Sequence, residues 1–292
     1  MKTNNKDWIG KAGISPINQK QSRWEKPYYT PIDAPPVQIP LELIDEYTLD
    51  GKVKLRWWYC NAETNVSEFE EGVKYMGESL KKLKNYFRKD DIDEKIKQAK
   101  NKQLGYYGDV VNYIHEAFEK FPIKDKTIAV MGSTHPVCES ICLAYGAKPV
   151  TIEYKEIECD DERIKIYTVD EFYKNPVLCD FGISISSFEH DGLGCYGDPL
   201  DPQGDLKAMK RMKHTIKKGG ILFLAIPIGE DRIDWNAHRV YGPIRLPMML
   251  DGWERIADIG FDESMFEIYP GHPMEENIDY GSKHSLFILR NT

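Results

Sequence analysis

The sequence predicts an α/β protein: a doubly wound, mostly parallel Rossmann-like sheet with an antiparallel C-terminal strand, preceded by an extended arm and a helical cap. Three observations carry this prediction. From Lys126 onward, short apolar runs alternate with amphipathic helix-length stretches, the pattern of strand-helix-strand units with helices on both faces of a sheet. The amphipathic run DLKAMKRMKHTIKK (205–218) stops at Gly219 and Gly220 and leads into ILFLAIPIG, a helix end feeding a buried strand. The chain then closes on SMFEIYPG and KHSLFILRN, two strand-like runs that suit an antiparallel closing pair.

Three regions follow from composition and period. Residues 1–65 read as an extended arm, because Pro16, Pro27, Pro31, Pro35, Pro36 and Pro40 are interleaved with Trp8, Trp24, Tyr28 and Tyr29 without helical or strand period. Within it, KVKLRWWY (52–59) suits a short strand. Residues 66–122 read as a helical cap. Phe69, Val73, Met76, Leu80, Leu83 and Phe87 recur at helical spacing behind a Ser67/Glu70 capping box, with further helices over 91–102 and 108–120. Residues 123–292 read as the Rossmann-like domain. Its strands fall at TIAVMG (127–132), KPVTIEY (148–154), RIKIYTV (163–169), DFGISISSF (180–188) and the run after Gly220. Its helices fall at 137–147, 205–218 and 245–261.

Composition excludes several classes. The 292 residues carry a formal net charge of −8, a poor match to the basic footprint that nucleic acid requires. No run of 18 apolar residues spans a membrane. The start, MKTNNKDWIGKAG, has no apolar core of a signal peptide. The expectation is a cytoplasmic protein, its six cysteines reduced and lacking any CxxC or zinc spacing.

In a doubly wound sheet, ligands bind beyond the carboxyl ends of the strands where strand order reverses. After the first strand come Gly132, Ser133 and Thr134, then a helix: a glycine for close backbone approach and free N–H groups. After the second stands Glu153, 21 residues past Gly132, placed to accept from ribose hydroxyls. After the fourth runs SSFEHDGLGCYGDPLDPQGD (186–205), a long acid- and glycine-rich loop. Loops of that length without period are usually functional. Glu189, His190 and Asp191 there suit a general base or oxygen ligands for a divalent ion. DWNAHRVYGPIR (234–245) adds His238 on the same edge. His115, His214, His272 and His284 fall elsewhere and read as structural.

Together these segments resemble a class I S-adenosylmethionine-dependent methyltransferase over about 126–290, carried best by DFGISISSFEH (180–190) and HTIKKGGILFLAIP (214–227). A closer resemblance is to a little-characterised domain-of-unknown-function family of methyltransferase-like proteins, through MGSTHPVCES (131–140), SSFEHDGLGCYGDPLDPQGDLKAM (186–209) and NAHRVYGPIRLP (236–247). The resemblance implies S-adenosylmethionine as cofactor, with Gly132, Ser133 and Thr134 at its amino-acid end, Glu153 on the ribose, Asp170 near the adenine and Ser186 among the further cofactor-binding residues. It also implies a small-molecule or glycan-type acceptor, deprotonated by His190 or His238 with Glu189 beside them, and Mg²⁺ on Glu189 and Asp191. The first motif departs from the family. Val130 replaces the usual acid, and Thr134 and Pro136 replace two glycines of GxGxG, so the loop must be shaped in another way.

Two other readings stand beside it. A nicotinamide-dependent oxidoreductase suits Glu153 equally, but the chain lacks GxGxxG and an evident Tyr-x-x-x-Lys pair; absence of the antiparallel closing strands favours it. A non-catalytic binding or scaffold module suits the altered glycine loop. The negative charge concentrates in 151–205, with 14 acidic against 4 basic residues. This disfavours a polyanionic acceptor and favours a cationic ligand at that edge. Oligomeric state is not legible.

Overall fold

A computed structural model describes residues 35–61, 66–69, 72–75, 86–105, 107–267 and 283–292. The arm residues Trp8, Trp24, Tyr28 and Tyr29, and Met76, Leu80 and Leu83 of the expected first cap helix, lie outside these. After a short helix α1 (Ile44–Tyr47), strands β1 (Lys54–Asn61), β2 (Val66–Phe69), β3 (Gly72–Tyr75) and β4 (Tyr86–Phe87) follow. Helices α2 (Lys89–Lys100) and α3 (Asp109–Lys120) lead into β5 (Thr127–Met131), α4 (Val137–Ala144), β6 (Lys148–Glu153), β7 (Glu158–Cys159), β8 (Lys165–Thr168) and α5 (Val169–Lys174). The remainder is β9 (Cys179–Ile185), α6 (Gly204–Thr215), β10 (Ile216–Ile228), β11 (Arg232–Asn236), β12 (His238–Val240), α7 (Arg245–Met249), β13 (Trp253–Ile259) and β14 (Lys283–Asn291).

The central sheet has seven strands in the order β13-β14-β10-β9-β5-β6-β8. β8, β6, β5, β9 and β10 run parallel, while β14 is antiparallel to both β10 and β13. Period-2 alternation explains why both faces are covered. Ile221, Phe223 and Ala225 of β10 join Ile128, Val130, Ile183, Leu286 and Ile288 under α3 and α4. Leu222, Leu224 and Ile226 face the other way, with Ala129, Ile152, Phe287 and Leu289, against Ala208, Met209 and Met212 of α6. Burying a core of branched side chains on each face is what makes the strands read as nearly continuous apolar runs.

Helices α2 and α3 form where the spacing predicts them. Asp90 and Asp91 open α2 and Lys97 and Lys100 close it, the charge order that the helix dipole favours. Val110, Ile114, Ala117 and Phe118 make the buried stripe of α3.

Three expectations are corrected. The run from Ser67, expected as a helix, contains the antiparallel strands β2 and β3, which extend a second sheet, β12-β11-β1-β2-β3. Pairing with β1 outweighs a helical spacing that a hairpin edge tolerates. The sixth helix stops at Thr215 rather than 218, because Ile216 already pairs with Cys179 and a bulge through Gly219, at φ 78°, precedes Ile221. The expected helix 245–261 is only the short α7. Gly252 turns the chain at φ 75°, and Trp253–Ile259 becomes β13, paired with β14. Among the described residues the closing antiparallel pair is β13 and β14; the expected strand SMFEIYPG holds a 3₁₀ turn at Glu263–Glu267, and its residues 268–271 lie outside the described ones. In the second sheet, β1 lies parallel to β11 with Trp57 opposite Trp235, so 52–59 is a strand as expected.

Candidate active site

Chain order runs β5, β6, β8 to one side of the sheet and then returns to β9 and β10 on the other. The switch point therefore lies between β5 and β9, where a crevice opens beyond the strand ends. A cavity of about 210 Å³ occupies it. Gly132, Thr134, Glu153, Ser186, His190 and Asp191 line this cavity, so most of the candidate positions scattered through 132–191 converge.

Gly132 follows β5 in the left-handed region, at φ 64°, and a Cβ there would fall 1.9 Å from Ser187 Oγ. The two loops beyond β5 and β9 thus meet across a gap that admits only a hydrogen. Ser186 sits at φ 46° without being glycine, a strained conformation of the kind that gathers at binding sites. Glu153 ends β6 nearly buried, its Oε1 accepting the Tyr154 N–H at 2.8 Å. Burial raises its pKa, against the backbone N–H groups of Tyr154 and Lys155 that lower it.

Two cofactor candidates stand apart from the cavity. The Ser133 side chain is turned into the protein, where its hydroxyl donates to Glu139 Oε2 (2.9 Å) and to the His135 carbonyl (2.8 Å). Asp170 is exposed in the first turn of α5, next to Val169, which does line the cavity. The Ser133 contact explains how the loop keeps its shape without the usual glycines. Glu139, fully buried on α4, also accepts from Thr151 Oγ1 of β6 at 2.7 Å. One carboxylate therefore ties the first loop to the second strand, and burial pushes its pKa up to about 7.

The 186–205 loop is held as one piece. Asp198 accepts the backbone N–H groups of Gly192 (2.7 Å), Gly194 (3.0 Å) and Tyr196 (3.3 Å). Arg239 of β12 donates Nη1 hydrogen bonds to the carbonyls of Asp191 (2.6 Å) and Glu189 (3.3 Å). Behind it, Asp205 receives Arg245 through two oxygens (2.7 and 3.0 Å) and Tyr241 (3.0 Å). Charged groups so deep survive only when paired and hydrogen-bonded.

The catalytic candidates separate by their partners. His190 Nδ1 lies 2.6 Å from the Ala237 carbonyl, which can only accept, so Nδ1 carries the proton and Nε2 is the basic nitrogen. Burial lowers its pKa and Glu189 raises it; the net is below the ordinary value. His238 Nε2 lies 3.2 Å from Asp234 Oδ2, inside a cluster with Arg56 and Arg232, and its ring is 6.1 Å from that of His190. Glu189 is completely buried, with Oε1 3.9 Å from His190 Nε2.

The Mg²⁺ expectation is not met. Glu189 is enclosed, the nearest Arg211 Nη2 stands 3.8 Å from Asp191 Oδ2, and among the described residues no three His, Cys, Asp or Glu side chains converge as metal ligands.

The composition of the wall was only partly legible. Tyr107, Tyr154, Tyr173, Tyr196, Asp198 and Arg211 also line the cavity. Arg211 belongs to the basic run of α6 that reads as a solvated face; its spacing of three from Ala208 was the available signal. Asp198 follows Gly192, Gly194 and Gly197 in the loop, a glycine-rich turn whose amides need an acceptor.

Among the described residues, no helix is long and apolar enough to cross a membrane, and no disulfide joins the six cysteines. The fold and crevice thus define a doubly wound α/β protein with a cleft at its switch point. Residues 125–291 match the family described as "Caenorhabditis protein of unknown function, DUF268", and the chain belongs to it. None of the curated proteins matches the chain in sequence. Among solved structures, it is similar to the Burkholderia thailandensis 1,6-didemethyltoxoflavin-N1-methyltransferase, at 10% identity and TM-score 0.43, over 68% of this chain and 78% of that one. TehB from Haemophilus influenzae aligns at 13% identity and TM-score 0.42, over 62% of each chain. The N-methyltransferase NodS from Bradyrhizobium japonicum WM9 aligns at 9% identity and TM-score 0.39, over 62% of this chain and 95% of that one.

Proposed function

We propose that the protein is an S-adenosylmethionine-dependent methyltransferase acting on a small polar acceptor, a sugar-type hydroxyl among the candidates, in the cytoplasm. The observation that carries this reading is the cleft at the switch point, where Gly132 and Glu153 face each other's loops beneath a sheet closed by antiparallel β14. That closure also disfavours the oxidoreductase reading. When bound, the cofactor supplies a methyl group on a cationic sulfur, and the transfer is a direct displacement.

The chain's own residues then have distinct tasks. Gly132 and Thr134 receive the amino-acid end, with Ser186 across from them, and Glu153 receives the ribose hydroxyls. Asp170, exposed beside the cavity-lining Val169, is assigned to the adenine end. Ser133 acts indirectly, by fixing the loop through Glu139. Tyr154, Tyr173 and Tyr196 line the cleft with Asp191 and Asp198, a set of aromatic and carboxyl groups that suits a cationic sulfur. Aligning the reactants and excluding water is the main work of such a site. His190 is the base, because its Nε2 is basic and it lines the cleft, whereas His238 is engaged with Asp234.

A binding module without catalysis is the second reading, favoured by how much of the 186–205 loop's polarity is consumed by Asp198, Arg239 and Arg245. Isothermal titration with S-adenosylmethionine and S-adenosylhomocysteine tests the proposal. Saturable heat with both is expected, and Glu153→Ala should weaken each by about tenfold or more, one lost charge-assisted hydrogen bond. Absence of heat with either compound overturns the reading. Binding without methyl release across a panel of hydroxyl and amine acceptors favours the binding module.

A further inference from the structure

Glu189 poses a chemical problem. It is 0% exposed, and neither carboxylate oxygen reaches a hydrogen-bond donor among the described residues. A buried carboxylate without a partner is costly, and such a group in a native fold calls for an explanation. On one side, His190 Nε2 stands 3.9 Å from Oε1; on another, His284 Nε2 stands 3.7 Å from the same oxygen. His284 Nε2 is itself buried and unpartnered. One oxygen thus faces two imidazoles delivered by separate elements, the turn after β9 and the antiparallel strand β14.

We infer that His284 positions the Glu189 carboxylate and, through it, His190. His284 lies opposite Pro227 in the β10/β14 ladder, so its backbone place is set by the closing strand and not by the 186–205 loop. An imidazole held there keeps the Glu189 carboxylate turned toward His190. Glu189 in turn holds the His190 ring with Nε2 inward and Nδ1 on Ala237. Burial raises the Glu189 pKa, but His284 and His190 outweigh it and hold it below the ordinary value. The carboxylate is therefore an anion beside the base.

The other groups facing this pair are few. The Ser186 hydroxyl and the backbone carbonyl bond from Arg239 lie on the Glu189 side. The buried phenols of Tyr196 and Tyr241 feel its charge. Asp198 and His238 act on His190, and the Tyr196 ring packs edge-on 5.3 Å from it. None of these replaces a ring at position 284.

The consequence rests on the methyltransferase reading with His190 as base. As the acceptor oxygen attacks the methyl carbon, its proton passes to His190 Nε2. The O–H pair becomes the oxygen's retained lone pair, and the sulfur–carbon pair leaves with sulfur. The imidazolium so formed faces the Glu189 anion, which stabilises it. Truncating His284 releases Glu189 and lowers the basicity of His190 without touching the cofactor.

The test follows the ring signals of histidine by NMR in the full-length chain carrying ¹³C,¹⁵N-histidine, from pH 5 to 8.5, with no ligand present. His190 is assigned by its loss in His190→Asn. Glu189→Gln should lower the His190 midpoint by about one pH unit, since a neighbouring anion favours the charged form. His284→Asn should shift it the same way, and combining the two should add little to Glu189→Gln alone. An unchanged His190 midpoint and tautomer pattern in His284→Asn overturns the inference. If that variant does not fold, by its thermal transition, the same signals are read in His284→Gln, with the same two outcomes. S-adenosylhomocysteine titration of the same samples separates the failures: a normal His190 response without cofactor binding sinks only the methyltransferase reading.

Discussion

Gly132 and Ser187 touch across the crevice: a Cβ on Gly132 would sit 1.9 Å from Ser187 Oγ and 2.7 Å from its Cβ. The loops after β5 and β9 are separated by 55 residues in sequence, and this contact sets the width of the cleft between them. Gly132→Ala must therefore part the loops and also adopt φ 64° with a side chain. The expected cost is about 2–3 kcal/mol, a left-handed penalty plus displacement of Ser187. Urea unfolding should show that loss, and calorimetry should show loss of S-adenosylhomocysteine binding.

Glu139 should make stability fall as pH rises. Burial raises its folded pKa to about 7 from an ordinary value of 4.5, so the folded chain binds this proton more tightly than the unfolded one. The stabilising contribution is complete below about 4.5 and is lost as pH climbs through 7. Glu139→Gln removes the titration, so it should be near neutral at pH 5 and stabilising by up to roughly 3 kcal/mol at pH 8.5. Urea midpoints at the two pH values check this, and equal differences at both would contradict it.

Asp205 behaves in the opposite sense. Burial alone would raise its pKa, yet Arg239 and Arg245 hold it below the ordinary value. Its contribution is present above the unfolded pKa and is lost as pH falls through the lowered folded value. Asp205→Asn leaves two buried guanidinium groups without their anion, at a cost of about 3–5 kcal/mol near pH 7. The gap to the native chain should narrow toward pH 2 in denaturant titrations, as Asp205 itself becomes neutral.

Asp198→Ala should loosen the loop more than the fold. Two close backbone N–H groups, of Gly192 and Gly194, lose their acceptor, at a cost of about 1–3 kcal/mol. Hydrogen exchange at residues 192–198 should accelerate at least tenfold while the β5 and β9 amides keep their protection. Ligand affinity should fall with it, since Tyr196 and Asp198 both line the cavity.

The alternation from β5 to β10 was legible because its main strands, β5, β6, β9 and β10, are largely buried on both faces and bounded by turn residues. Apolar runs such as TIAVM and ILFLAIPI leave few other solutions in water. The places of Gly132, Glu153, Ser186, His190 and Asp191 followed from the same logic, since strand ends alone bring them to one edge. Where tertiary pairing competes with local period, the reading failed. Ser67 onward and Trp253–Ile259 carry helix-compatible spacing, but β1 and β14 offer them sheet edges, and ladder pairing prevailed.

The sequence by itself determined the doubly wound class, the edge at which the cleft opens and most of the residues that gather there, because those depend on period and on strand ends. Only the tertiary structure decided what each polar side chain does. Ser133 turns inward to Glu139, His238 is engaged by Asp234, and His284 arrives beside Glu189 from a strand 95 residues away. A buried charge must find a partner within a few ångströms, and which partner is near depends on how distant strands stack, a relation that spacing along the chain does not record.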